Sequence, residues 1–175
     1  MKIYIFEDEG YKNFLPLTYF TPVYNLRCGC FTLKEKLEKY FKSNSAFLVR
    51  DYLADYLREV FPKQKINELT PDDALLINGR LIADKEVVRK IKYKKDEDKI
   101  FINQETLVAA HFSRKTFKSL FDKCGNHLPD ISCLSEFPVH EIDSQLVNHP
   151  WDLIRINGDQ IKKDFGLISS SLKRK

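Results

Sequence analysis

Strands alternating with helices along 175 residues predict an α/β protein, a three-layer sandwich on a mainly parallel sheet. Two observations carry that prediction. Short apolar runs rich in β-branched and aromatic residues recur between segments with helical spacing. The first 36 residues also read as strand, long irregular loop and helix, the opening unit of such a sheet, whose loops leave each strand at its carboxyl end, where these folds bind ligands.

The elements follow in order. Residues 2–6 form a strand, and the acidic break Glu7-Asp8-Glu9-Gly10 ends it. Thr32 with Glu35 is a capping box, and Leu33, Leu37, Tyr40 and Phe41 make the apolar stripe of a helix over 33–42. Residues 46–49 are a buried strand. Asp51 caps a helix carrying Leu53, Leu57, Val60 and Phe61, which Pro62 stops. Residues 63–73 are polar loop and 74–77 a third strand. At Asn78-Gly79 two readings compete: a hairpin returning through 80–82, or a strand end lining the ligand crevice. Asp84 caps a helix over 85–91 with Val87, Val88 and Ile91 inward. Residues 99–102 and 106–112 make a hairpin, and Ser113 caps a helix bearing Phe117, Leu120 and Phe121 that Gly125 ends. Residues 126–137 read as loop and 138–142 as a last strand. Pro150 suits a first helical turn, and Leu153, Ile154, Ile161 and Phe165 are expected to face inward, with Trp151 as a packing anchor. Gly158 marks a break or a close contact in that helix, since glycine there costs about 1 kcal/mol against alanine.

Composition bounds the function. A chain of this length with 43% hydrophobic and 13% aromatic residues is one folded domain, taken as residues 1–168 with 169–175 as a linker or end. The net charge of +4 is mild, and the basic run at 89–95 meets Asp96, Glu97 and Asp98 at once, so it reads as a solvated loop and not as a nucleic-acid surface. The terminal 173–175 cluster reads as a ragged end. No run approaches the roughly 18 apolar residues of a membrane span, and no signal peptide opens the chain, so a cytoplasmic protein is expected. Cys28, Cys30, Cys124 and Cys133 read as free thiols in preference to a zinc site, whose ligands favour two-to-four-residue spacers. His111, His127, His140 and His149 fall at no metal-like or triad-like spacing.

Three ordered blocks add a resemblance. Residues 15–22 (LPLTYFTP), 76–81 (LINGRL) and 150–155 (PWDLIR), the last continuing through Asn157-Gly158 to Asp164-Phe165, resemble sugar-phosphate nucleotidyltransferases. The likeness is nearest to their divergent bacterial branch, in which a shortened transferase domain precedes a β-helix acyltransferase-like domain. It covers nearly the whole chain. It implies a Rossmann-like nucleotide-diphospho-sugar transferase fold, a nucleoside triphosphate and a sugar 1-phosphate as substrates, magnesium as cofactor and a role in cell-envelope sugar metabolism. It also implies a further C-terminal β-helix domain, with homo-oligomer formation through it.

Nucleotidyl transfer asks a protein to position reactants and neutralise charge, so cations and backbone amides near the crevice are the candidates. Arg27 is the first: its guanidinium can grip phosphate bidentately, the alternative being a surface ion pair to Glu7, Asp8 or Glu9. Asp8 is placed to orient base or ribose or to support a metal. Thr18 and Gly29 shape the same loop beside the nucleotide. Asn78, Gly79 and Arg80 are crevice residues, Asn78 or Arg80 standing where the resemblance implies a metal-holding aspartate. The departures are definite: residues 7–14 replace the usual glycine-rich G-x-G-T-R loop, Val23 stands at the usual lysine, and Thr21 precedes the motif's proline where the divergent branch has arginine. The competing expectation is therefore a degenerate module that binds a sugar nucleotide or docks on an acyltransferase.

Overall fold

The computed structural model describes residues 1–68, 70, 72–91, 97–124 and 134–172. The basic residues at 92–95, Gly125, His127, Cys133 and the terminal 173–175 cluster lie outside them. Among the described residues eight strands and five α-helices follow one another: β1 (Lys2–Phe6), β2 (Arg27–Cys28), β3 (Phe31–Thr32), α1 (Leu33–Phe41), β4 (Ser45–Leu48), α2 (Asp51–Val60), β5 (Ala74–Asn78), α3 (Lys85–Ile91), β6 (Lys99–Asn103), β7 (Thr106–Phe112), α4 (Arg114–Cys124), β8 (Val139–Glu141) and α5 (Pro150–Leu172). Six strands form one sheet in the order β4-β1-β5-β7-β6-β8. β1 pairs in parallel with β4 and β5, β7 runs antiparallel to both β5 and β6, and β8 is parallel to β6. One strand in six is reversed, as the tight β6–β7 hairpin requires.

Alternation within the strands builds the layers. Ile3 and Ile5 of β1, with Phe47, Leu75 and Ile77 on its neighbours, pack under Leu37 of α1, Leu53 and Leu57 of α2, and Val87 and Ile91 of α3. The intervening residues Tyr4, Phe6, Leu48 and Leu76 face the other way, against Phe117 and Leu120 of α4. A third cluster joins Phe14, Val23, Cys28, Leu33 and Leu153, seating the β2–β3 hairpin beneath α5. The predicted three-layer α/β sandwich with a mainly parallel sheet is the fold observed.

Local chemistry explains the boundaries. Thr32 Oγ1 accepts from the Glu35 N–H while Glu35 returns a bond to the Thr32 N–H, the complete capping box. Asp84 accepts from Glu86 and Val87 at the start of α3. Asp51, expected as a cap, instead opens α2 from inside its first turn, with Arg50 at the cap position. Asn78-Gly79 makes no hairpin: Leu81 bridges Leu146, and β5 ends at the crevice.

Helix α5 corrects the sequence reading most. Leu153 is buried as expected, but Ile154, Ile161, Phe165 and Trp151 are exposed. The inward positions are Gln160 and Asp164, polar residues held by partners that lie far away in sequence. Gly158 breaks nothing, for α5 runs on through it to Leu172.

Candidate functional site

The order in which strands are added reverses at β1: β4 lies on one side of it and β5, later in the sequence, on the other. At such a switch point the loops leaving adjacent strands part and open a crevice at the carboxyl ends. Glu7 and Asp8 follow β1, Asn78 ends β5 with Gly79 and Arg80 after it, and Arg50 lies two residues beyond β4.

These residues pair across the strand ends. Arg80 Nε donates to Asp8 Oδ1 at 2.8 Å and Nη2 to Asp8 Oδ2 at 2.5 Å, a bidentate pair with Arg80 buried. Asn78 Nδ2 donates to Asp8 Oδ2 and to the Leu107 carbonyl, both at 2.8 Å, and Asn78 Oδ1 accepts from the Arg80 N–H. Arg80 Nη1 reaches the Val147 carbonyl and Asn148 Oδ1. Gly79 donates its N–H to the Phe6 carbonyl at 2.8 Å, tying the two strand ends together. Gly10 is required by the same pair, because a Cβ there would lie 2.5 Å from the Arg80 guanidinium. Asp8, Asn78, Gly79 and Arg80, singled out separately in the sequence, thus form one network.

A second pair was missed. Glu7, its side chain fully buried, lies 2.9 Å from Arg50 Nε and accepts from the Val23 N–H. Burial, only partly offset by Arg50, raises the Glu7 carboxyl from 4.5 to about 7. Arg50 Nη2 donates to the Thr18 carbonyl, and its guanidinium lies 3.9 Å from the Tyr11 ring centroid, so Arg50 clamps the loop that holds the 15–22 motif. The signal in the sequence was its position, an arginine closing a buried strand. Thr18 is buried and its hydroxyl donates to the Tyr11 carbonyl, a brace within that loop.

Arg27 and Gly29 belong to the β2–β3 hairpin. Arg27 is exposed, and Nη1 donates to the Cys30 carbonyl. The ion pair considered for it is taken elsewhere: Glu7 is paired with Arg50, Asp8 with Arg80 and Glu9 with Lys12. Gly29 has φ +73° and donates to Asn157 Oδ1, and a Cβ there would meet Asp164 Oδ2 at 2.4 Å. Asp164 also accepts from the Cys30 N–H and from the Lys36 ammonium at 2.6 and 2.7 Å, an ion pair buried on both sides. Gly29 therefore docks the hairpin on α5, with Arg27 on the outer rim.

Among the described residues no group of three or more His, Cys, Asp or Glu side chains is placed to hold a metal ion. With Glu7, Asp8 and Glu9 each paired to a cation, the crevice carboxylates do not fit a preformed magnesium cage. Cys28 and Cys30 are free thiols, one buried and one exposed. No helix among the described residues is long and apolar enough to cross a membrane.

Known proteins share this architecture. A Bacillus anthracis protein described as a glucose-1-phosphate thymidylyltransferase superposes with a TM-score of 0.60 at 12% identity over 92% of this chain and 95% of its own. The inositol-1-phosphate CTP transferase of T. maritima gives 0.56 at 10% identity, over 86% and 90%. Molybdopterin-guanine dinucleotide biosynthesis protein A of Archaeoglobus fulgidus gives 0.59 at 14%, over 93% and 100%. No curated protein matches the sequence. At these identities the likenesses speak for the fold. Membership rests on the sequence itself: the sugar nucleotidyl transferase family model matches residues 3–173, nearly the whole chain, and the protein belongs to that family.

Proposed function

We propose that this domain transfers a nucleotidyl group from a nucleoside triphosphate to a sugar 1-phosphate. A phosphate oxygen of the sugar phosphate attacks the α-phosphorus, the bond to the β-phosphate breaks, and pyrophosphate leaves. The observation that carries the reading is the charged cluster at the carboxyl ends of β1 and β5, at the switch point of the sheet, with Arg80 bound to Asp8 and Arg50 beside Glu7. The Asp8–Asn78–Arg80 network holds the two strand ends at a fixed separation, which is the positioning such a reaction needs. Arg27, exposed on the hairpin with Nη1 on the Cys30 carbonyl, is the cation this reading assigns to a phosphate. Magnesium enters this reading as part of the metal–nucleotide substrate, because the crevice acids are occupied.

The second reading, a sugar-nucleotide-binding or docking module attached to a β-helix acyltransferase, is favoured by two features. Four of the five Arg80 guanidinium donors are bound to protein acceptors, and residues 9–14 form a 3₁₀ turn capped by Asp8 where a phosphate-cradling loop would stand. Pyrophosphate release with magnesium, across a panel of nucleoside triphosphates and hexose 1-phosphates, separates the two. Release confined to one pair and lowered about 100-fold in Arg27→Ala is expected. A folded protein that binds a sugar nucleotide by calorimetry and releases nothing establishes the binding module.

A further inference from the structure

The outer face of α5 carries a largely exposed apolar seam, whose first residue, Trp151, is stacked against the His149 ring at 4.4 Å. Trp151, Ile154, Ile161 and Phe165 are 51%, 77%, 44% and 68% exposed, and Gly158 lies on the same line with no atom within 4 Å of where its Cβ would be. The intervals 3, 4, 3 and 4 from 151 to 165 are those of a heptad seam, the pattern by which one helix packs along another. The opposite face is already spent on the hairpin and α1 through Asn157, Gln160 and Asp164.

We propose that this seam is the interface of a two-fold homodimer in which two α5 helices pack antiparallel. The seam is self-complementary in that arrangement. Centred between residues 158 and 161, it sets Ile154 against Phe165 of the second copy and drops Ile161 of each copy into the hole left by Gly158 of the other. That hole accounts for a glycine in the middle of a long helix, where it meets nothing among the described residues and weakens the helix. The exposed apolar side chains amount to on the order of 500 Å² per copy, so pairing removes on the order of 1,000 Å² in all, the lower bound for a specific interface.

Sedimentation velocity of the full chain from 1 to 100 µM tests this. A dimer is expected, with dissociation strengthened at least about 100-fold by Ile154→Glu or Phe165→Glu, since the two pack against each other on both sides of the axis and each substitution occurs twice. Gly158→Leu, which raises helix propensity but fills the hole, is expected to be monomeric. Tyr56→Glu, on the exposed face of α2, is expected to dimerise as the parent does. Circular dichroism confirms folding, because the altered side chains touch solvent and not the core. A parent chain that stays monomeric at 100 µM overturns the proposal and leaves the face to a different protein. A dimer that survives both Ile154→Glu and Gly158→Leu, or that is lost in Tyr56→Glu, overturns it equally.

Discussion

Glu7 shows how a single carboxylate is governed by its surroundings. Its charge faces Arg50, yet desolvation outweighs that attraction and the folded-state pKa is about 7 against 4.5. The folded chain therefore holds this proton more tightly than the unfolded one. The resulting stability is complete below about 4.5 and is lost as pH rises through about 7. Comparing urea unfolding of the parent with Glu7→Gln from pH 5 to pH 8 isolates this group from the other carboxylates. The parent is expected to lose on the order of 3 kcal/mol relative to the variant across that range, and parallel curves would refute the assignment. Arg80 and Asp8 behave differently: Asp8 has acceptors on both oxygens filled by Arg80, Asn78 and the Gly10 N–H, so its role is to hold the strand ends.

At the scale of elements, the β2–β3 hairpin, α1 and α5 meet at one buried charge. Asp164 binds the Lys36 ammonium and the Cys30 N–H, and Lys36 also donates to Gln160. Asp164→Ala leaves an ammonium in the interior with one neutral acceptor and is expected to cost about 3–5 kcal/mol by urea unfolding. Lys36→Met with Asp164→Leu is expected to recover much of that loss, because an apolar pair carries no desolvation penalty. A single variant as stable as the parent would show that α5 is held by Leu153 and its apolar neighbours alone. Of the elements themselves, the capping box of α1, the Asp84 cap of α3 and the β6–β7 hairpin were legible, since each depends on residues within a turn of one another. The facing of α5 was not. Ile154, Ile161 and Phe165 keep a spacing that suits either a core or an outward seam, while the buried Gln160 and Asp164 are recognisable only once Lys36 and the hairpin are beside them.

Over the whole molecule, protection from exchange should follow the sheet order. β1 and β5 are bonded on both sides and buried on both faces, whereas β8 is an edge strand with every residue exposed. Amide exchange followed by mass spectrometry is expected to show β1 and β5 opening last, with the global transition, and β8 opening first. Equal protection in β8 would mean that the sheet opens as one unit. Alternating composition, helical periods and end signals determined the α/β class, the order of the elements and the three ordered blocks that mark the family, because those features are written in neighbouring residues. Tertiary structure decided which charges meet. Glu7 with Arg50, Asp8 with Arg80 and Lys36 with Asp164 are separated by 43, 72 and 128 positions, and only the pairing of β1 between β4 and β5 and the docking of α5 bring them within bonding distance.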